Sequence, residues 1–299
     1  MTHQRLELRP LTSADVPFGM RLAELAGWNQ TPADWRRAVQ LASEGAWAAR
    51  IMGRDAGTIT TCRFGAVGWI GVLLVDPELR RRGVGRKLFE RALEWLESHG
   101  VQSIRLDATP LGQPLYDQYG FQVDFELSRY AGAAYESVDD AERRLHTSSP
   151  IVEVVDAEET QIAQIASLDQ RFSNVNRTAL IRAWLQARDS KCLVLPHREE
   201  ETSSCAAGYV ACRAGRMAVQ IGPCVADAPD AATLLLDAAL HRCRGQSVFV
   251  DVPNVNRAAI ARVCAAGLAP VRTLVRMTRG PRASENLAGY WASGGPEKG

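Results

Sequence analysis

Val75-Asp76-Pro77-Glu78-Leu79-Arg80-Arg81-Arg82-Gly83-Val84-Gly85-Arg86-Lys87 is the stretch on which the reading of this chain turns. It follows residues 70–75, a continuously apolar run of the kind expected of a strand buried on both faces. It leads into residues 83–99, where Val84, Leu88, Ala92, Trp95 and Leu96 recur on one side of a helix. A strand, a loop and a helix that opens on two glycines make an anion site. Glycine lets the backbone approach a ligand closely and take positive φ, and the first N–H groups of a helix have no internal partners. With the helix dipole they favour a phosphate. Arg80, Arg81, Arg82, Arg86 and Lys87 surround that point with positive charge. The competing reading of the same residues is a solvated basic loop. The spacing is neither G-x-x-x-x-G-K-[ST] nor G-x-G-x-x-G with a later ribose-binding acid, which sets aside a nucleoside-triphosphate loop and a dinucleotide fold.

Outward from this turn the chain alternates strands and helices. Residues 6–11 alternate apolar and polar side chains as a strand does, and Thr31-Pro32-Ala33-Asp34 reads as a helix start. Residues 47–52 and 58–63 read as hairpin strands around Arg54-Asp55-Ala56-Gly57. Residues 103–109 alternate again, and residues 115–119 form a short helix ended by Gly120. The pattern then restarts. Ile70-Gly71-Val72-Leu73-Leu74-Val75-Asp76 matches Ile221-Gly222-Pro223-Cys224-Val225-Ala226-Asp227, and Arg105-Leu106-Asp107-Ala108-Thr109-Pro110 matches Phe249-Val250-Asp251-Val252-Pro253. Order and spacing are kept, so the chain reads as one fold written twice, at a period too long for a solenoid. The expected organisation is a first domain at 1–133, a linker at 134–149, a second domain at 150–280 and a tail at 281–299. Tyr290 and Trp291 give that tail one means of docking as a last strand; a mobile tail is the other reading.

Composition bounds the function. The chain is 46% hydrophobic and 23% charged, ordinary globular values that exclude a disordered or fibrous class. A formal net charge of +1 gives no broad electrostatic case for nucleic acid or membrane as a partner. No apolar run approaches the length of a membrane span, and the first residues carry no signal pattern. The seven cysteines form no C-x-x-C pair, which points to reduced thiols in a cytoplasmic protein and to no metal site. Three lysines stand against thirty-two arginines, a composition bias that weakens the case for any single arginine.

The pattern [RQ]-x-x-G-x-[GA], here Arg80-Arg81-Arg82-Gly83-Val84-Gly85, resembles the acetyl-coenzyme A signature of the GNAT superfamily of N-acetyltransferases. Its context supports the resemblance: Leu73-Leu74-Val75-Asp76-Pro77 before it, an amphipathic helix after it, then Leu115-Tyr116-Asp117-Gln118-Tyr119-Gly120-Phe121. The likeness covers residues 5–130 and extends more weakly to 151–280, and the whole chain resembles the bacterial tandem-GNAT subgroup, with Trp28-Asn29-Gln30-Thr31 and Asp34-Trp35 near its start. It implies an α/β fold of two tandem domains, each a mixed α+β sheet.

The resemblance also implies residue roles. Leu73, Leu74 and Val75 would line pantetheine, and the backbone from Arg80 through Arg81, Arg82, Gly83, Val84 and Gly85 to Arg86 and Lys87 would hold the phosphates of acetyl-coenzyme A. A backbone N–H near Val72 and Leu73 would polarise the thioester carbonyl. Tyr116 stands where many relatives place the acid that protonates the leaving thiolate; its alternative is a packed tyrosine with a locally bonded hydroxyl. Asp107 is a candidate base or amine-holding group, with a salt bridge as the equal alternative. Trp28, Asn29 and Asp34 are candidates for the acceptor wall, although Asp34 also reads as a helix-start acid. The second half lacks the arginine and both glycines of the turn, having Ala228-Pro229-Asp230 instead, and is expected to have lost the coenzyme. The implied reaction is acetyl transfer to a primary amine of a small molecule or peptide. The alternative from another class is an acyl-coenzyme A sensor without catalysis.

Overall fold

The computed structural model describes residues 6–42, 44–134, 153–197, 206–282 and 285–298. Residues 135–149 of the expected linker and residues 150–152 of the expected second domain lie outside the described residues. Contacts divide the chain into two compact units. Unit 1 comprises Met1–Gln122, Met277–Arg282 and Pro296–Gly299; unit 2 comprises Val123–Arg276 and Ala283–Gly295.

Unit 1 contains β1 (Leu6–Pro10), α1 (Val16–Leu25), α2 (Pro32–Ala42), β2 (Ala46–Ile51), β3 (Arg54–Phe64), β4 (Val67–Val75), α3 (Val84–Ser98), β5 (Ser103–Ala108) and α4 (Gln113–Asp117). The strands run in the order β1-β2-β3-β4-β5, antiparallel up to β4 and parallel between β4 and β5. Helix α3 seals one face with Val84, Leu88, Phe89, Ala92, Leu93 and Leu96, all buried. On the other face Leu22, Trp35, Ala42, Val72 and Leu74 belong to one core cluster. The β2–β3 reversal falls at Met52-Gly53, not at the expected Arg54–Gly57. Ile51 pairs with Arg54, and both turn residues have positive φ, 50° and 76°. A two-residue turn of that hand matches strand twist, so Gly53 sets the reversal and Gly57 is left inside β3.

Unit 2 contains β6 (Gln122–Ala133), β7 (Val155–Asp156), α5 (Ile162–Ser173), α6 (Thr178–Leu185), β8 (Ser190–Pro196), β9 (Ala206–Arg213), β10 (Val219–Ala226), α7 (Pro229–Arg242), β11 (Ser247–Pro253), α8 (Arg257–Ala265), β12 (Ala269–Arg279) and β13 (Tyr290–Ala292), with Gln122 and the end of β12 counted in unit 1. Its strand order is β12-β6-β11-β10-β9-β8-β7. Strand β6, expected to close the first half, pairs with β11 from Leu127↔Pro253 to Ala133↔Ser247. The second half in turn gives Met277–Arg282 to unit 1, where Arg279 pairs with Glu97 at 2.8 Å. Duplication makes the last strands of the two halves alternative partners, and nothing in their local patterning chooses between them.

The core of unit 2 carries a buried ion pair. Arg129 Nε and Nη2 each donate to Asp251 at 2.7 Å, and Gln220 Nε2 donates to the same carboxylate at 3.3 Å. Farther along the same segment, Asn256 caps α8 by accepting from the Ala259 N–H at 3.1 Å. Arg129→Ala leaves a buried carboxylate without its cation, so it is expected to cost about 3–5 kcal/mol of stability in denaturant titration. A loss within about 0.5 kcal/mol of surface substitutions would refute this account of the core.

Candidate active site

The site begins with an irregularity in β4. Thr58 pairs with Leu74 and Thr60 with Gly71, so one extra residue lies on β4 between them. Val72 takes φ of 53°, and the hydroxyls of Thr58 and Thr60 donate to the carbonyls of Val72 and Gly71 at 3.1 and 3.2 Å. Left-handed backbone at a β-branched residue costs on the order of 1–3 kcal/mol and persists only where neighbours hold it. Here two buried threonines do so. A bulge of this kind breaks the ladder and re-aims backbone groups. Beside it β4 and β5 part: their parallel register runs only from Val67↔Ser103 to Trp69↔Arg105. From Gly71 onward β4 therefore faces a slot, with Leu73 and Val75 half-buried along it.

The slot leads to the phosphate turn. Asp76 ends β4. Burial pushes its carboxyl upward, but Arg21 at 2.8 Å and the Glu78 N–H at 3.0 Å prevail and hold it below the usual range. The chain then rounds Leu79 and enters α3 through Gly83, whose φ is 81°. A Cβ there would meet nothing within 4 Å, so the requirement for glycine is conformational. Arg80, Arg81, Arg82, Arg86 and Lys87 are exposed around the helix start. Arg80 Nε is tied to the Val75 carbonyl at 3.2 Å, and Arg86 donates to Gln118 Oε1 at 3.1 Å. Open space at Gly83, a cationic rim and a slot between parted strands fit an extended, phosphate-bearing acyl thioester.

The remaining expected residues are placed as follows. Tyr116 on α4 is buried, packed against Phe89 with ring centroids 5.0 Å apart. Burial alone pushes its phenol up to about 12. Tyr119, by contrast, gives its hydroxyl to Glu90 at 2.7 Å. Asp107 lies half-buried on β5, two residues beyond the last β4–β5 pair. Trp28 is half-buried against the α1–α2 core, and Asn29 is buried. Asp34 is 2% exposed; Thr31 N–H and hydroxyl donate to it at 3.0 Å and Arg37 at 2.8 Å, so its carboxylate closes the first turn of α2.

Sequence reasoning missed three residues at this site: Gln30, Glu297 and Lys298. The segment Pro296–Lys298 belongs to unit 1 and lies against β4 just before the bulge. Trp69 Nε1 donates to the Pro296 carbonyl at 3.2 Å, and Gln30 Nε2 donates to Glu297 Oε2 at 3.3 Å. No local pattern marks Pro296-Glu297-Lys298 as anything but a polar chain end.

Unit 2 treats the equivalent slot differently. Strands β10 and β11 are parallel from Val219↔Val248 to Ile221↔Val250 and then part. Into that gap runs β13, antiparallel to β10 through Cys224↔Ala292 and Val225↔Tyr290 and bridged to β11 at Asp251↔Ser293. Residues 227–228 alone separate β10 from α7, where residues 76–83 separate β4 from α3. The second copy of the slot is thus filled by the chain's own strand, and its phosphate turn is gone. Among the described residues no group of His, Cys, Asp or Glu is placed to hold a metal ion, and no helix is long and apolar enough to cross a membrane.

Comparison with known proteins follows this division. Residues 16–121 match the family described as "Acetyltransferase (GNAT) family", and residues 165–289 match that described as "Acetyltransferase (GNAT) domain". The uncharacterized N-acetyltransferase YitH of Bacillus subtilis (strain 168) is 23% identical over 83% of this chain and 82% of its own. The holothin acyltransferase of Pseudoalteromonas sp. (strain SANK 73390) is 21% identical over 93% of this chain and 89% of its own. Among solved structures, a proposed acetyltransferase from Pyrococcus horikoshii superposes with a TM-score of 0.81 at 21% identity, covering 100% of this chain and 98% of that one. A tandem GNAT protein from the clavulanic acid biosynthesis pathway gives 0.67 at 19% identity, covering 94% and 100%.

Proposed function

Because this chain belongs to the GNAT superfamily of acyltransferases and carries two such domains in tandem, we propose that unit 1 transfers the acetyl group of acetyl-coenzyme A directly to a primary amine. The observation that carries this reading is the Val72 bulge at the head of a slot that ends in the Arg80–Lys87 turn. Leu73, Leu74 and Val75 line the pantetheine arm along the open edge of β4. The N–H groups at the start of α3 and the cationic rim hold the phosphates. A backbone N–H at the bulge donates to the thioester oxygen and stabilises negative charge that develops there. Tyr116, protonated throughout the neutral range, supplies a proton to the leaving thiolate. Asp107 and the Trp28–Asn29 segment face the acceptor. The acceptor is a small-molecule or peptide amine; a relative named for holothin acylation favours the former. The free thiols of the described cysteines suit a reducing cytoplasm.

Unit 2 contributes no second coenzyme site, because β13 lies where the second pantetheine arm would lie. Calorimetry with acetyl-coenzyme A is expected to give one coenzyme per chain, and a transfer assay across amine classes to release free thiol. Two coenzymes per chain would refute the reading of unit 2, and no binding at all would refute the reading of unit 1.

A further inference from the structure

The side chain of Lys298 is 1% exposed and that of Glu297 2%. The Glu297 backbone crosses β4 at Gly71: a Cβ on that glycine would stand 2.7 Å from the Glu297 carbonyl oxygen and 2.9 Å from its Cα. Gly71 directly precedes the Val72 bulge, so the segment lies at the end of the slot away from the phosphate turn. That is the end at which an acceptor amine must meet a thioester held along β4. Lys298 Nζ is a primary amine, and Glu297 Oε1 lies 3.3 Å from it. The other oxygen of that carboxylate accepts from Gln30.

Resting on the reading of unit 1 as an acetyl-coenzyme A site, we propose that Lys298 is an internal acyl acceptor, modified by the domain that encloses it. Lys298 directly follows the residue that crosses Gly71, one position before the bulge. The Glu297 carboxylate takes one proton from the Lys298 ammonium. The freed Nζ lone pair attacks the thioester carbonyl carbon; the C–N bond forms and the C–S bond breaks. The departing thiolate takes a proton from Tyr116, and the second amine proton restores the phenol. The product is a neutral amide at Lys298 and free coenzyme A. Because the amide carries no charge, the ion pair that helps hold the segment at Gly71 is lost.

The composition of the chain supplies the control. Its other lysines, Lys87 and Lys191, are exposed, so uncatalysed acetylation from solution must favour them over buried Lys298. The full-length protein, first treated with a deacetylase and checked by mass, is incubated with acetyl-coenzyme A, and each lysine is mapped by peptide mass spectrometry. The expected result is acetylation at Lys298 roughly tenfold faster than at either exposed lysine, as a tethered acceptor provides, at a rate independent of protein concentration. Lys298→Arg is expected to lose that label alone while still binding coenzyme by calorimetry. Coenzyme binding without label at Lys298, or equal labelling of all three lysines, overturns the inference and leaves the coenzyme site standing. Failure to bind coenzyme overturns the reading of unit 1 instead.

Discussion

Gly83→Glu is expected to weaken acetyl-coenzyme A binding by on the order of 100-fold or more, equivalent to about 2.7 kcal/mol. Two effects add. Gly83 holds φ of 81° at the entry to α3, a conformation that costs a side-chain-bearing residue about 1–2 kcal/mol. A carboxylate at that point also opposes the helix N-terminus and the phosphate it would bind. The space around Gly83 is open, so the substitution creates no clash and the fold should persist. Gly83→Asn separates the two effects: asparagine tolerates left-handed backbone and brings no charge, so it should keep most of the affinity. Calorimetry on both variants, with circular dichroism to confirm folding, is the measurement. Equal binding by Gly83→Glu and the unaltered protein would sink the assignment of the turn.

How much of this could be read from the sequence depends on the range of the interactions involved. The phosphate turn was legible because its determinants are adjacent in the chain: a buried strand, a glycine at the helix entry, and an apolar stripe on α3. The second half's loss of the turn was legible for the same reason, since Pro229 and Asp230 stand where glycines would be needed. The bulge was not. Val72 is the residue type least suited to positive φ, and it is held there by Thr58 and Thr60, hydroxyls from another strand. The exchange of chain segments between units was also invisible, because β6 and β12 are alike in pattern and only tertiary packing assigns each to its neighbours. Asp34 illustrates a third case. Its position near the expected acceptor wall and its role as a first-turn acid were both readable, and three hydrogen bonds from Thr31 and Arg37 show where its carboxylate is spent. The burial of Glu297 and Lys298 depends on contacts with Gln30 and Trp69, far away in sequence.

Tyr116→Phe is expected to lower kcat by on the order of 10²–10⁴, the usual contribution of a positioned proton donor, while leaving coenzyme affinity unchanged. The substitution removes one oxygen from a ring whose packing on Phe89 and Phe121 stays intact. The phenol is pushed up to about 12 by burial. A raised pKa keeps the proton on the oxygen as pH rises, so the donor remains charged with its proton through pH 10. Loss of Tyr116 should therefore depress the rate across the whole profile below that pH without moving a limb. A purely structural role predicts a different pattern: reduced stability, weaker binding, or both. The nature of the leaving group distinguishes them further. An acyl donor whose thiol is more acidic needs less help in departing, so it should recover most of the rate lost in Tyr116→Phe. If the variant is equally impaired with both donors, the phenol is not the acid, and the proton reaches the thiolate by another route.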